Sequence, residues 1–336
     1  MYPFVGISCL YAIWLLTSGN LLMDSVAVSA ITLAVWLLSS IIWGESRHSV
    51  IELFSWISYL LLFSASRSVG IEFVMWLLLP NGLILSVMQL YEQRKNQDAY
   101  HTFKLFGNSN HQSAFLLTSF YSAMWLSLNI SLWFLVCAVI IGLAISKTKC
   151  RGATAALIVS VIALACMLES EMVIYSSIVF VIFGVLNLRS FMNRNYSDRL
   201  VIYRDAIKKI HPRWITGRGL NFFRLTEYGR VHNDYIEIIG ETGLIGLLLI
   251  VMLFAQITFT PVILSCLIAF AIHSLVFYPL REVHTAAPFW AIMGASAAPV
   301  YNAVPMYVLR SISIIAVSFI LIFVFTVFSN LVKIKR

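Results

Sequence analysis

Charge is scarce in this chain, and negative charge is the scarcest. Of 336 residues, 11% are charged, with 15 acids against 23 lysines and arginines, while 60% are apolar. Soluble domains average about 25% charged and about 45–50% apolar residues. Too little polar surface is present to clothe a water-soluble globule of this size. The cysteines Cys9, Cys137, Cys150, Cys166 and Cys266 are odd in number and nowhere take CxxC spacing. That excludes a disulfide framework or a paired-thiol zinc site, and they read as small packing residues. No Asp-x-Asp stands between the apolar runs, so an acidic metal motif is lacking too. The opening Met1-Tyr2-Pro3-Phe4 lacks the basic n-region of a cleavable signal peptide, so the first run is expected to be a retained helix.

What fills the sequence is hydrophobic runs divided by short polar breaks with turn formers such as Gly19-Asn20 and Gly44-Glu45-Ser46. A membrane helix needs about 20 apolar residues. The runs fall at 4–18, 24–43, 50–65, 70–91, 113–128, 129–146, 152–167, 171–188, 240–259, 261–279, 286–302 and 308–331. The expected fold is all-α: a polytopic membrane protein of about 12 transmembrane helices with one sizeable extramembrane loop bearing short helices. Residues 1–188 would form N-terminal membrane helices, 189–239 the loop, and 240–336 the C-terminal membrane helices. No repeat of fixed period and no low-complexity tract appears.

The loop holds most of the net charge. Between Arg189 and His232 stand ten basic residues, eight of them arginine, against Asp198, Asp205 and Glu227, a balance of +7 out of the chain's +8. Such basicity suits a cytoplasmic loop or contact with anionic headgroups. Within it, Ser197 can cap a helix over 198–211 whose Leu200, Tyr203, Ile207 and Ile210 recur at helical spacing. A preponderance of arginine over lysine favours bidentate binding of phosphate oxygens.

The segment after Arg230 is the most distinctive: Val231-His232-Asn233-Asp234-Tyr235-Ile236-Glu237, running into Gly240-Glu241-Thr242-Gly243-Leu244-Ile245-Gly246. It resembles the signature of the O-antigen ligase and O-antigen polymerase superfamily. Other pieces of that pattern follow in order: Gly107-Asn108-Ser109-Asn110, Cys150-Arg151-Gly152-Ala153 (Cys where the family has Ser), Asp198-Arg199 with Tyr203, Gly217-Arg218-Gly219 with Phe222-Phe223, and Phe277-Tyr278-Pro279-Leu280 with Phe289-Trp290 and Gly294. The resemblance spans roughly residues 40–300.

The resemblance implies an inverting, metal-independent glycosyltransferase without a cofactor. It would move a glycan from undecaprenyl diphosphate to an acceptor hydroxyl at the periplasmic face of a bacterial inner membrane. The first reading is an O-antigen ligase, with lipid A-core as acceptor in lipopolysaccharide biosynthesis. The alternative is an O-antigen or exopolysaccharide polymerase, whose acceptor is a second lipid-linked glycan. A lipid-linked oligosaccharide transporter is the reading from another class. Besides these substrates the expected partners are membrane lipids and no nucleic acid.

The implied roles follow the chemistry. A departing lipid diphosphate needs fixed cations, each well-placed donor contributing about 2.7–4 kcal/mol in a water-poor site. Arg151 and Arg199 match the family's functional arginines, with Arg218 as a third between two glycines. An attacking hydroxyl needs a proton acceptor, and His232, with an ordinary pKa of about 6.5, fits. Asn110, Asn233, Tyr203 and Arg281 are further substrate-binding candidates; capping is the commoner use of both asparagines. Glu237 and Glu241, four apart on one helix face, are given structural roles, one as an arginine partner. No metal ligands are assigned. One conflict stands in the sequence: the runs place 44–49, 92–112, 147–151, 189–239, 280–285 and both termini on one side, which charge counting makes cytoplasmic and the resemblance makes periplasmic. The resemblance takes precedence, because long loops cross largely regardless of charge.

Overall fold

The computed structural model describes residues 25–44, 49–95, 106, 108–168 and 197–297. These form α1 (Ser25–Ser39), α2 (Ser49–Val69), α3 (Ile71–Lys95), α4 (Ser109–Asn129), α5 (Phe134–Lys147), α6 (Arg151–Leu168), α7 (Ser197–Ile210), α8 (Asp234–Phe254), α9 (Pro261–His273) and α10 (Val283–Ala295). Two short 3-10 turns, His211–Arg213 and Phe222–Leu225, follow α7. No strand occurs among the described residues, which are thus all-helical; a lone backbone bridge joins Ile257 to Ala297.

Among the described residues, four helices are long and apolar enough to cross a bilayer: α2, residues 71–94 of α3, α6 and α8. The protein is therefore read as a helical membrane protein. Nine of the expected runs coincide with described helices, but α1, α5, α9 and α10 have only 15, 14, 13 and 13 residues, short of a full crossing. The runs at 4–18, 171–188 and 308–331 lie outside the described residues, as do Gly107 and the side chain of Ser197. Two further boundaries differ from expectation. α8 begins at Asp234, so the expected loop boundary at 239 falls inside a helix. α9 stops at His273, and 274–282 is irregular chain rather than the end of a membrane span.

Local chemistry sets these boundaries. Asn108, not Asn110, caps α4, its Oδ1 accepting from the Asn110 amide at 2.8 Å. Thr260 caps α9, and Pro261 occupies the first helical turn, where its missing N–H costs nothing. The core is aromatic. Trp56 and Phe63 of α2 meet Trp290 of α10 edge-on, with ring centroids 6.1 and 6.2 Å apart. α4 is buried on nearly every side and sits at the centre, while α3 leaves Phe73, Trp76, Leu77, Ile84 and Val87 exposed, as a lipid-facing helix does.

α8 is broken. Gly243 takes φ 73° and ψ 180° inside the helix, a backbone state essentially confined to glycine. The carbonyls and amides freed there are taken up by the segment that follows α7. The Arg218 and Gly219 amides donate to the Gly240 and Glu241 carbonyls, each at 2.9 Å, and the Leu244 amide donates to the Trp214 carbonyl at 2.9 Å. Trp36 Nε1 of α1 donates to the Thr242 carbonyl at 2.8 Å. The fit needs bare backbone on both sides. A Cβ on Gly243 would lie 2.0 Å from the Ile215 oxygen, and one on Gly217 would lie 2.3 Å from the Glu241 oxygen. Apolar surroundings make unpaired backbone groups costly, so this zipper is what permits a break in an apolar helix.

Candidate functional site

The irregular segment 274–282 is the hub on which the candidate residues converge. Its carbonyls lack helical partners because α9 has ended, and side chains from α7 and from the start of α8 bind them. Arg199 of α7 donates Nη1 to the Val276 carbonyl at 2.8 Å. Tyr203, one turn on, places its hydroxyl 3.1 Å from both the Leu275 and His232 carbonyls. Asn233 caps α8 through Oδ1, accepting from the Ile236 amide at 3.1 Å, and its Nδ2 donates to the Leu275 carbonyl at 2.9 Å. Asp234, fully buried, accepts from the Ser274 hydroxyl and the Leu280 amide, both at 3.0 Å. Arg151 opens α6 beside the same segment, since its neighbour Gly152 abuts Val276 and His273.

His232 stands between Tyr203 and Asn233 in this arrangement. It has φ 60°, in the left-handed region, which for a residue bearing Cβ costs about 1–2 kcal/mol. Its ring lies 5.3 Å from that of Tyr278. Its Nδ1 is buried and has no hydrogen-bond partner among the described residues. Burial first, and then the positive charges of Arg199 and Arg230, push its pKa below the ordinary 6.5, with Glu237 opposing. The imidazole is neutral at pH 7 and retains proton-accepting capacity. Arg199 is half-buried and forms no ion pair among the described side chains. Cys150, adjacent to Arg151, is buried; burial pushes its thiol up, and Arg199 draws it partly back.

Next to this group lies a buried ionic network. Arg281 donates Nε and Nη2 to Glu52 Oε1 at 2.8 and 2.6 Å, and Nη2 to Glu241 Oε2 at 2.6 Å. Arg230 Nη1 donates to Glu237 Oε2 at 3.1 Å, and the Val231 amide to Glu237 Oε1 at 2.7 Å. The Arg281 side chain is 1% exposed. Burial opposes its charge, but Glu241, Glu52 and Glu237 together outweigh that and hold it firmly protonated. Arg230 is held likewise, against both burial and Arg281, and lies over the Tyr278 ring at 5.3 Å.

These contacts sort the expected site residues. His232, Arg199, Tyr203 and Asn233 gather on one segment, and Arg151 starts the helix that packs beside it. Arg281 does not join them as a substrate ligand: its guanidinium is enclosed by three glutamates. Arg218 is engaged with the protein as well, donating Nε to the Lys209 carbonyl at 2.7 Å and covering the Phe222 ring. Its flanking glycines admit protein backbone rather than a phosphate: Gly217 meets Glu241 of α8, and Gly219 meets Gly44 and Ser40 beyond α1. Asn110 lies in the first turn of α4, its carbonyl accepting from Ser113. Glu237 and Glu241 both pair with arginine, where one pairing was expected. Glu52 escaped the sequence reading, although a lone carboxylate inside an apolar run is itself a signal of a buried partner, and Asp234 was part of the motif but was given no role. No protein-family model matches this sequence, and neither does any curated protein sequence.

Proposed function

We propose that the protein is an inverting glycosyltransferase of the inner membrane that transfers a glycan from a polyprenyl diphosphate to an acceptor hydroxyl. The ligase reading, with lipid A-core as acceptor, stands first. The observation that carries the proposal is the meeting of a neutral imidazole, whose Nδ1 has no described partner, with an arginine lacking a carboxylate partner among the described side chains. That pairing supports a site where an alcohol is deprotonated beside a bound anion.

In this reading Arg199 and Arg151 hold the diphosphate and offset the charge that develops as the glycosidic bond breaks. The acceptor oxygen attacks the anomeric carbon from the face opposite the diphosphate. One C–O bond forms, the C–O bond to phosphate breaks, and its electron pair leaves with the diphosphate. The acceptor's proton passes to His232, and configuration inverts because displacement is single. Tyr203 and Asn233 are positioning residues: they fix the chain on either side of His232 and tie it to the hub. Binding of a diphosphate at this basic surface favours a periplasmic orientation for the 197–233 segment.

The test is His232→Ala in cells with matched membrane levels of the protein. Loss of glycan transfer supports the assignment, and undiminished transfer refutes it. In a deletion strain, bare core with accumulated carrier-linked polymer marks a ligase, whereas core bearing a single repeat unit marks a polymerase. A transporter reading draws on the charged network between helices; the expected result against it is intact translocation of lipid-linked glycan in the deletion strain.

A further inference from the structure

A second cluster of chemically able side chains lies outside that reaction. His111, in the first turn of α4, and His284, in the first turn of α10, bring Nδ1 and Nε2 to 2.8 Å. One carboxylate oxygen of Glu282 joins them, all three atoms lying within 4.8 Å of one another. Phe106 packs edge-on to His284 at 5.3 Å, and Phe277 to His111 at 5.0 Å, so aromatic walls hold both rings.

We propose that His111, Glu282 and His284 form a binding site for a divalent transition-metal ion. Two imidazole nitrogens and one carboxylate make a ligand set of borderline softness, suited to ions from Mn2+ to Zn2+ and leaving coordination positions open. The spacing agrees. With metal–nitrogen bonds of about 2.0–2.1 Å, two nitrogens at a right angle stand about 2.9 Å apart, and at a tetrahedral angle about 3.3 Å. The observed 2.8 Å between the two nitrogens is close to the right-angled edge.

A plain hydrogen bond between the two imidazoles accounts for their distance but not for Glu282. That carboxylate is half-buried, makes no cap bond to α10, and has no hydrogen bond or ion pair among the described residues. The site goes beyond the transfer reaction and uses none of its proton-handling or anion-binding groups.

The experiment uses tag-free full-length protein in detergent, stripped with chelator and titrated with Co2+, with Zn2+ as competitor. The expected result is one equivalent of Co2+ bound with a visible ligand-field spectrum, displaced by Zn2+. His284→Ala and Glu282→Gln should each weaken binding at least tenfold, as should His111→Ala. Glu282→Gln changes a carboxylate with no described partner, so it keeps the test decisive if a histidine variant fails to fold. Absence of stoichiometric binding overturns the proposal, as does binding that all three substitutions leave unchanged. Because binding is read without substrate, its outcome is independent of the His232 test.

Discussion

Replacing Gly243 with alanine tests how the α8 break is held. Two separate costs arise. The backbone state at Gly243, φ 73° and ψ 180°, costs a residue with Cβ about 1–3 kcal/mol. The added carbon would also stand 2.0 Å from the Ile215 oxygen and 2.5 Å from the Thr216 carbonyl carbon, so the 214–219 segment must retreat. Retreat breaks the bonds from the Leu244 and Ile245 amides to Trp214 and Ile215, and each buried group left unpaired costs about 1–3 kcal/mol. The sum is about 3–9 kcal/mol, a fall in Tm of about 4–13 °C for a chain of this size. Gly229 supplies the control: its φ is +64° but nothing lies within 4 Å of an added Cβ. Gly229→Ala therefore incurs only the backbone cost, about 1–2 kcal/mol. Thermal unfolding of both variants in detergent, followed by tryptophan fluorescence, reads the difference. Equal shifts, or a Gly243→Ala protein melting with the wild type, would refute the zipper.

Three further outcomes are expected. Arg281→Gln strands Glu52 and Glu241 without their 2.6 Å partner and should cost about 3–5 kcal/mol, seen as lost monodisperse protein in size-exclusion chromatography; Glu52→Gln should cost less, because it removes a charge rather than orphaning two. Asn233→Ala removes a cap and a bond to the Leu275 carbonyl, about 1–3 kcal/mol by thermal melting, and Asn233→Asp should recover the cap alone. The His232 pKa lies below 6.5, so the unfolded chain takes up this proton first: its contribution to stability is complete above pH 6.5 and is lost as pH falls towards the folded value. Transfer rate should fall over the same acidic range, and melting curves at pH 5 and 8 for wild type and His232→Asn check the stability part.

Periodicity and apolar length were enough to locate the helices between residues 24 and 168, because burial in a bilayer leaves few polar residues inside a span. They failed where helices are interrupted. Gly243 read as part of a motif, yet only the return of 214–219 makes a break there tolerable, and that return is tertiary. Likewise 274–279 is apolar enough to extend α9, but its carbonyls are claimed by Arg199, Tyr203 and Asn233. The candidate site was legible where chemistry is rare: a histidine beside an N-cap asparagine and isolated arginines in an organised loop. The pairing of Arg281 with Glu52 was not legible because the two are 229 residues apart, a distance over which spacing carries no information.

That same distance has a bearing on synthesis. Glu52 emerges from the ribosome far ahead of Arg281 and must wait, with Glu237 and Glu241, for a counter-ion made near the end of the bundle. Until it arrives the nascent helices carry three acids with one arginine, Arg230, among them. A chain stalled before that residue therefore holds carboxylates without their main counter-ion, a costly state in apolar surroundings.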